Sequence, residues 1–333
     1  MKIPQLRILV TSFCNRKCLY CRPTGEGMVD NNLNRCIGEE KALLICKLYK
    51  ENGGNEVKIS GGDPIFWEYL VSFVGKLKHE LNFAKVEVIT RSPKIEEKVH
   101  ALVDAGMDVL NFSLDTIDKE QYKIITDCDD YDELISTIIK CAKVVPTKIN
   151  SVIMKGINDL GVDDLISFCA TIGVKQLKLL DVIDDLQNKD VGNGYRLDSL
   201  GVKCLSDLYI SLEQICSKIK EKSVSDSIVY QGGLGHPMNE FKMASGLTVT
   251  VKNSENGAWY GKLCENCNFY PCHDALMAIR LTSDNRLQFC LLNNKASIAL
   301  DGLSTEEISR RFSECLKIYE NASFCEWATE EKN

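Results

Sequence analysis

The stretch QLRILVTSFCNRKCLYC, residues 5–21, begins with an apolar run typical of a β-strand and ends with three closely spaced cysteines. Similar short runs, rich in β-branched residues, recur along the next part of the chain and alternate with amphipathic helical patterns. The predicted strands lie at 5–11, 56–60, 85–90, 108–114, 147–154 and 174–183. The predicted helices lie around 39–51, 66–81, 95–105, 131–143 and 161–172.

This alternation predicts an α/β fold, because strands joined by helices build parallel sheets from right-handed βαβ units. The first loop carries cysteines and lacks a glycine-rich dinucleotide fingerprint, which favours a partial (β/α)6 TIM-like barrel over a nucleotide-binding doubly wound sheet. We predict this barrel at residues 1–183 and a polar linker at 184–199. A C-terminal extension then follows at residues 200–333.

The composition is that of a globular protein. Apolar residues make up 44% of the 333 residues, charged residues make up 26%, and the formal net charge is −7. This acidic balance argues against a nucleic-acid polymer as partner. The start of the chain lacks the apolar core of a secretory signal, and no apolar run approaches the roughly 18 residues of a membrane span. We therefore expect a cytoplasmic protein without a membrane partner.

The chain has 16 cysteines, a high number for a reducing compartment, where clustered cysteines indicate metal binding or catalysis. The scattered cysteines are interpreted as small apolar fillers. The first cluster is Cys14, Cys18 and Cys21, directly after the first strand. Three thiolates at this spacing suit three irons of a 4Fe–4S cluster, and the fourth iron is left open for S-adenosylmethionine (SAM). A structural zinc site would require a fourth ligand, and the following residues offer neither Cys nor His.

The sequence resembles the radical SAM superfamily, and more closely its GTP 3′,8-cyclase branch, which makes the first intermediate of molybdopterin. The resemblance covers roughly residues 5–183 and 262–293. Besides the cysteine motif, it is carried by ISGGDP (59–64), AGMDVLNFSLDTIDKEQYKIIT (105–126), INSVIMKGIND (149–159) and RLTSDNRLQFCLL (280–292). The resemblance implies a radical SAM barrel, a SAM-binding 4Fe–4S cluster and reductive cleavage of SAM.

Several residues at strand ends are candidates to contact SAM. Two glycines allow close backbone approach, an acidic side chain supplies a charge partner for the SAM ammonium, and the aromatic residue before the third cysteine could pack on the adenine. At the third strand end the family normally shows Thr-Asn-Gly, whereas this chain has Thr90-Arg91-Ser92. The cofactor-binding candidates are Tyr20, Gly61, Gly62, Asp63, Pro64, Thr90 and Ser113.

A second cysteine group indicates a second metal site. Cys264, Cys267 and Cys290 match the positions that hold an auxiliary 4Fe–4S cluster in the resembled cyclases. An insertion adds Cys272, so the number of cysteine ligands, three or four, stays open. A structural zinc site is the alternative, since four cysteines at such spacing are also a zinc pattern.

A phosphorylated substrate requires cations that converge on the barrel mouth. The basic residues that match the family's substrate positions are Arg7, Lys58, Lys155, Lys178 and Arg280. Lys58 and Lys178 replace arginines of the family, which keeps the charge and loses the bidentate fork. Other basic family positions carry Glu56, Ala278 and Phe13 here. These departures favour a divergent member of the family.

The first functional hypothesis is hydrogen abstraction from GTP or another nucleotide by a 5′-deoxyadenosyl radical. The second is radical modification of a ribosomally made peptide by an enzyme with an auxiliary cluster. The third is a non-enzymatic metal-binding module, which leaves the Gly-Gly-Asp-Pro stretch without a role. The expected partners are a small phosphorylated nucleotide and an electron donor such as flavodoxin or ferredoxin.

Overall fold

Six parallel strands form the centre of this computed structural model, and they neighbour one another in chain order. They are β1 (Gln5–Leu9), β2 (Glu56–Ser60), β3 (Lys85–Thr90), β4 (Val109–Ser113), β5 (Thr147–Val152) and β6 (Gln176–Leu180). The predicted strands are confirmed, although four of them are shorter than expected. The structure describes residues 3–21, 35–182, 194–230, 237–252, 258–261, 264–265, 278–290, 296–320 and 323–325.

Helices connect these strands, as the sequence pattern predicts. They are α1 (Glu39–Glu51), α2 (Leu70–Gly75), α3 (Val99–Asp104), α4 (Lys119–Thr126), α5 (Tyr131–Cys141) and α6 (Val162–Ile172). Helix α4 was not expected from the sequence. Its first turn is capped by Asp118, whose carboxylate accepts a hydrogen bond from the backbone N–H of Gln121 at 2.8 Å.

The central sheet has an apolar face and a polar face. Leu6 and Ile8 in β1, and Val57 and Ile59 in β2, are fully or almost fully buried in the core that the helices also line. Because strand side chains alternate between faces, the polar residues between them lie on the face opposite the helices. Helix cysteines belong to the apolar core, which agrees with their interpretation as small fillers: Cys46, Cys141, Cys169, Cys216 and Cys315.

The C-terminal part extends the same sheet at both edges. Beside β6 lie β7 (Ser223–Tyr230), β8 (Pro237–Met243) and β9 (Thr248–Lys252), with β9 parallel to β6. Beside β1 lie β11 (Ala278–Leu281), β12 (Arg286–Gln288) and β13 (Ser297–Ala299), with β11 parallel to β1. Two further strands, β10 (Ala258–Tyr260) and β14 (Ser323–Cys325), pair separately.

Three helices accompany these strands: α7 (Gly194–Ser199), α8 (Glu213–Lys222) and α9 (Thr305–Glu320). The apolar stripe predicted over 200–222 is helical only in α8 and in a 3-10 turn at Leu205–Leu208. Residues 184–193 of the predicted linker lie outside the described residues, and its last six residues form α7. The predicted division into barrel, linker and C-terminal region stays a prediction. Within the described ranges, no helix has the length and apolar character that crossing a membrane requires.

Candidate active site at the carboxyl edge of the sheet

The cysteine loop follows β1 at the edge where the parallel strands end. Cys18 is buried, with 8% of its surface exposed, and Cys14 and Cys21 are half-buried. The backbone N–H of Cys21 donates to the carbonyl of Cys18 at 3.0 Å, which folds the second half of the motif into a tight turn. The three thiols therefore belong to one short loop at the edge that carries active sites in βα barrels.

Helix α4 supports this loop through its last carbonyl groups. The backbone N–H of Lys17 donates to Thr126 O at 3.2 Å, and that of Leu19 donates to Ile125 O at 2.9 Å. Carbonyls in the last turn of a helix have no partner within the helix, so the cysteine loop supplies donors that they would otherwise lack.

Arg16, between the first two cysteines, fixes the loop from inside. Its Nη1 and Nη2 atoms donate to the two carboxylate oxygens of Asp130 at 2.9 and 2.6 Å, a bidentate ion pair. Nη1 also donates to the hydroxyl of Tyr122 at 3.1 Å, and Nη2 donates to the carbonyl of Arg91 at 3.0 Å. The side chain of Arg16 is 1% exposed. Sequence reasoning missed this residue, because its carboxylate partner lies 114 positions away in the chain.

The Gly-Gly pair after β2 lies against the backbone that precedes Cys14. A Cβ atom on Gly61, whose φ is +145°, would lie 2.4 Å from the carbonyl oxygen of Thr11. A Cβ atom on Gly62 would lie 2.1 Å from the carbonyl oxygen of Phe13. The N–H of Gly62 donates to Thr11 O at 2.6 Å, so the glycines seat the cysteine loop on β2. Their predicted contact with SAM stays a prediction.

Asp63 is buried and fully engaged by protein donors. Its carboxylate accepts the hydroxyl of Thr90 at 2.7 and 2.9 Å, the N–H of Arg91 at 3.0 Å and the N–H of Ile65 at 3.2 Å. The last contact caps the 3-10 turn that Pro64 opens. Asp63 thus joins the ends of β2 and β3, and the predicted site residues Asp63, Pro64 and Thr90 form one contiguous unit.

Tyr20 points into a buried ion pair. Its hydroxyl oxygen lies 2.5 Å from Arg91 Nη2 and 3.0 Å from Asp115 Oδ2, and the two charged groups are 2.7 Å apart. Asp115 also accepts the backbone N–H of Val152 at 2.9 Å, which ties the end of β4 to β5. The hydroxyl of Tyr20 is therefore held by protein groups. Ser113, the last residue of β4, is half-buried at the same edge.

The donor set of this loop fits an iron–sulfur cluster. Among the described residues, no group of three or more His, Cys, Asp or Glu side chains converges to hold a single metal ion. An iron–sulfur cluster does not require the three thiols to converge on one ion, since each thiolate binds a separate iron. Burial and the charge of Asp63 raise the pKa of the Cys14 thiol to about 12, so an isolated thiol stays protonated here. Burial also raises the pKa of Cys18, but the Arg91 and Arg16 guanidinium groups oppose this shift and favour the thiolate that iron requires.

Two members of the second cysteine group can be described. Cys264 and Cys290 are half-buried and pack against the main hydrophobic core. Cys267 and Cys272 lie outside the described residues. The ligand number of this predicted metal site is therefore still a prediction.

Cationic side chains line the polar face of the sheet. Arg280, Arg7 and Lys58 occupy neighbouring positions in register on β11, β1 and β2. Lys178 lies on β6, and its pKa is lowered by burial and by the charges of Lys58, Lys252 and Arg7. The structure thus brings together four of the five predicted substrate residues on one face. The fifth, Lys155, is exposed on the turn after β5.

Three further charged residues of this face were missed by sequence reasoning. Glu87 on β3 is 1% exposed, and its carboxylate lies 3.2 Å from the Nζ atom of Lys58 and 3.4 Å from that of Lys148. Lys252, at the end of β9, is 3% exposed. Burial acts to raise the pKa of Glu87, but the two lysines outweigh it and hold this pKa at about 2. The alternation of polar and apolar residues in these strands was the sequence signal that could have placed the three residues on the polar face.

Comparison with known proteins agrees with this geometry. Residues 8–169 match the family model of the radical SAM superfamily. A probable GTP 3′,8-cyclase of Archaeoglobus fulgidus is 28% identical over 95% of this chain and 94% of its own length. A GTP 3′,8-cyclase of Clostridium botulinum is 28% identical over 88% of this chain and 83% of its own length.

Solved structures resemble the fold. Streptococcus suis SuiB bound to S-adenosylmethionine superposes with a TM-score of 0.59 at 16% identity, over 96% of this chain and 66% of the SuiB chain. The structure of anSMEcpe with bound AdoMet superposes with a TM-score of 0.54 at 14% identity, over 95% of this chain and 80% of that chain. At these identities the likeness concerns the fold, which is the predicted partial TIM-like barrel.

Proposed function

Because this chain is a radical SAM enzyme whose sequence resembles the GTP 3′,8-cyclases, we propose that it abstracts hydrogen from a nucleotide-type substrate. Cys14, Cys18 and Cys21 would hold the cluster, which would supply the electron for reductive cleavage of SAM to methionine and a 5′-deoxyadenosyl radical. Hydrogen abstraction from the substrate would then yield 5′-deoxyadenosine. The protein's part is to hold the substrate carbon beside this radical and to exclude other reactants.

The cationic face of the sheet carries the proposal. Its basic side chains in the described strands include Arg7, Lys58, Lys148, Lys178, Lys252 and Arg280. Glu87 is the acidic side chain that pairs with two of them. Lysines and arginines with this degree of burial favour a ligand that brings several negative charges, because such a ligand compensates their mutual repulsion. A nucleotide polyphosphate has that chemistry.

The position of the cations fits the proposed reaction. Arg7 and Lys58 lie on β1 and β2, whose carboxyl ends carry the cysteine loop and the Asp63 unit, and the other cations lie on strands of the same sheet. A phosphate chain bound on the polar face would leave the ribose and base nearer the cysteine loop. The relatives named GTP 3′,8-cyclase support a nucleotide over other anions.

We also propose that the second cysteine group holds an auxiliary 4Fe–4S cluster. Its ligands would be Cys264, Cys267 and Cys290, with Cys272 as a possible fourth. The half-buried thiols of Cys264 and Cys290, close to the apolar core, support a site screened from water. Soft sulfur donors suit iron–sulfur clusters.

Isotope transfer tests the proposed function directly. Anaerobic enzyme with SAM and dithionite is incubated with GTP deuterated on the ribose, and with the other ribonucleoside triphosphates labelled in the same way. We expect one nucleotide to accelerate formation of 5′-deoxyadenosine and to pass deuterium into it, measured by mass spectrometry. Cleavage of SAM without acceleration or deuterium transfer from any nucleotide would contradict the proposal, and acceleration by a peptide instead would favour peptide modification.

A pair of lysine variants tests the binding face. Lys178→Met removes a cation from the polar face, whereas Lys175→Met removes an exposed lysine just before the same strand. Since a charge-assisted contact contributes roughly 1.5–3 kcal/mol, Lys178→Met should weaken nucleotide binding by about 10-fold or more. Lys175→Met should leave binding unchanged. Equal effects of the two variants in calorimetry would argue against the polar face as the binding site.

A further inference from the structure

Arg91 is a buried cation next to the cysteine loop. It follows β3 directly, it is 6% exposed, and it stands where the resembled family normally has asparagine. Its Nη2 atom donates to the hydroxyl of Tyr20 and to the carboxylate of Asp115. Its backbone N–H donates to the carboxylate of Asp63, and its carbonyl accepts a hydrogen bond from the guanidinium of Arg16. The guanidinium is thus fixed in position from several sides.

The second terminal nitrogen of the Arg91 guanidinium, Nη1, differs from Nη2. Arg91 Nη1 is buried and has no hydrogen-bond partner among the described residues. A buried guanidinium donor without an acceptor is costly, so an unfilled donor of this kind points to a ligand that the fold is built to receive. Arg91 is joined to the cysteine loop on both sides of Cys18, because its carbonyl accepts from Arg16 and its Nη2 atom donates to the hydroxyl of Tyr20.

We propose that Arg91 Nη1 donates to a sulfur of the cluster assembled at Cys14, Cys18 and Cys21, which makes Arg91 a positioning residue that raises the reduction potential of the cluster. Reduction adds negative charge, so a fixed positive charge and an N–H···S hydrogen bond both stabilise the reduced form. The inference rests on a cluster at Cys14, Cys18 and Cys21, and it is independent of the substrate.

Asp115 supplies a test of opposite sign. Its carboxylate lies 2.7 Å from Arg91 Nη2 and offsets part of the positive charge. Asp115→Asn keeps one oxygen acceptor for Val152 and Tyr20 but removes the negative charge and the oxygen that accepts from Arg91 Nη2. The potential should therefore rise in Asp115→Asn and fall in Arg91→Gln. Arg91→Lys keeps the charge and loses the planar fork, so its potential should fall by less.

The experiment is an EPR-monitored redox titration of the cluster whose signal changes when SAM is added. Wild type, Arg91→Gln, Arg91→Lys and Asp115→Asn are compared at equal iron content. Arg310→Gln is the control, because this arginine is exposed on α9 and pairs with Glu307 and Glu314. Its potential should equal that of wild type.

The outcomes separate the ideas. Unchanged potentials in the Arg91 variants, or shifts of the same sign in Arg91→Gln and Asp115→Asn, would overturn the proposed hydrogen bond. If Arg91→Gln loses iron, the opposite shifts of Arg91→Lys and Asp115→Asn still decide. A wild-type protein that binds no iron would overturn the cluster itself and this inference with it, whereas failure of nucleotide turnover would leave it standing.

Discussion

Gly62 lies where the backbone of the GGDP stretch touches the backbone before Cys14. A Cβ atom there would lie 2.1 Å from the carbonyl oxygen of Phe13. That oxygen belongs to the backbone, so it cannot move away as the end of a flexible side chain could. We expect Gly62→Ala to displace the cysteine loop and to lower the iron content of the first cluster. Iron analysis and circular dichroism after anaerobic reconstitution measure this. Gly75→Ala is the control, because that glycine is helical and its Cβ would meet only Ala105 Cβ at 3.9 Å. Full iron loading of Gly62→Ala would show that the close approach is not required.

Glu87 makes the stability of the protein depend on acid pH. Its pKa is about 2 in the folded chain, against roughly 4.3 for an unperturbed glutamate. A lowered carboxyl pKa contributes stability above the unfolded value, and this contribution is lost as the pH falls towards the folded value. Between about pH 5 and pH 2 wild type should therefore lose roughly 3 kcal/mol more than Glu87→Gln.

Urea unfolding of the cluster-free protein at several pH values measures this difference. Glu96→Gln is a suitable control, since Glu96 is paired at the surface with Lys140 and its side chain is 39% exposed. Parallel pH profiles for wild type and Glu87→Gln would refute the linkage.

At the residue scale, the sequence indicated groups that a local motif carries. Cys14, Cys18, Cys21, Gly61, Gly62 and Thr90 all fall at one edge of the sheet in the structure. It did not indicate Glu87 or the partners of Arg16 and Arg91. Those side chains meet across strands or loops far apart in the chain, with separations of 71 residues for Arg91 and Tyr20 and 114 for Arg16 and Asp130. No local pattern encodes such a contact.

At the element scale, α4 is a short helix whose end carries the cysteine loop. Asp118→Ala removes the side-chain cap on the N–H of Gln121. We expect this variant to lose about 1 kcal/mol of unfolding free energy, because N-cap substitutions typically have that effect. Asp129→Ala, which breaks an exposed ion pair with Lys123, should cost much less. Chemical denaturation measures the free energy of unfolding of both variants, and equal losses of this free energy would contradict a capping role for Asp118.

The six central strands could be predicted because each is a run of β-branched or apolar residues between polar turns. Helix α4 was missed because KEQYKIIT is only eight residues long and mostly polar. Tertiary contacts stabilise it: Tyr122 is 1% exposed, Ile125 is fully buried, and its last carbonyls bond the cysteine loop. Short helices of this kind depend more on packing than on intrinsic propensity.

At the scale of the whole molecule, the two proposed iron–sulfur clusters predict a simple iron count. A protein with both clusters holds about eight irons, since each cluster has about four. Replacing Cys14, Cys18 and Cys21 by Ala should remove about half of the iron and abolish SAM cleavage. Replacing Cys264, Cys267 and Cys290 should also remove about half but leave slow SAM cleavage intact. Iron analysis and quantification of 5′-deoxyadenosine provide the readouts.

An unchanged iron count in the second triple variant would exclude the auxiliary cluster. The single variant Cys272→Ala then tests the number of cysteine ligands. Removal of the Cys272 thiol should change the iron content or the EPR signal of the second cluster only if this thiol binds iron. Replacement of Cys204, a half-buried cysteine outside both groups whose side chain bonds Ser206, serves as control.

The sequence did not predict how the C-terminal strands complete the sheet. β9 joins β6 and β11 joins β1, so this part of the chain adds to both edges. The strands beside β1 have only three or four residues each, and the choice of edge depends on contacts with distant residues. The cation of β11, Arg280, was nevertheless identified by its resemblance to a family position, and the structure places it beside Arg7.

The pairing of β1 with β11 has a consequence for biosynthesis. β1 leaves the ribosome before β2 to β10, and its outer neighbour β11 follows only after all of them. Until then one edge of β1 has open hydrogen-bonding groups, and exposed edges invite pairing with other nascent chains. The charge of Arg7 in the middle of this strand discourages such pairing. We therefore expect the sheet to close beside the cysteine loop only after β11 has been synthesised.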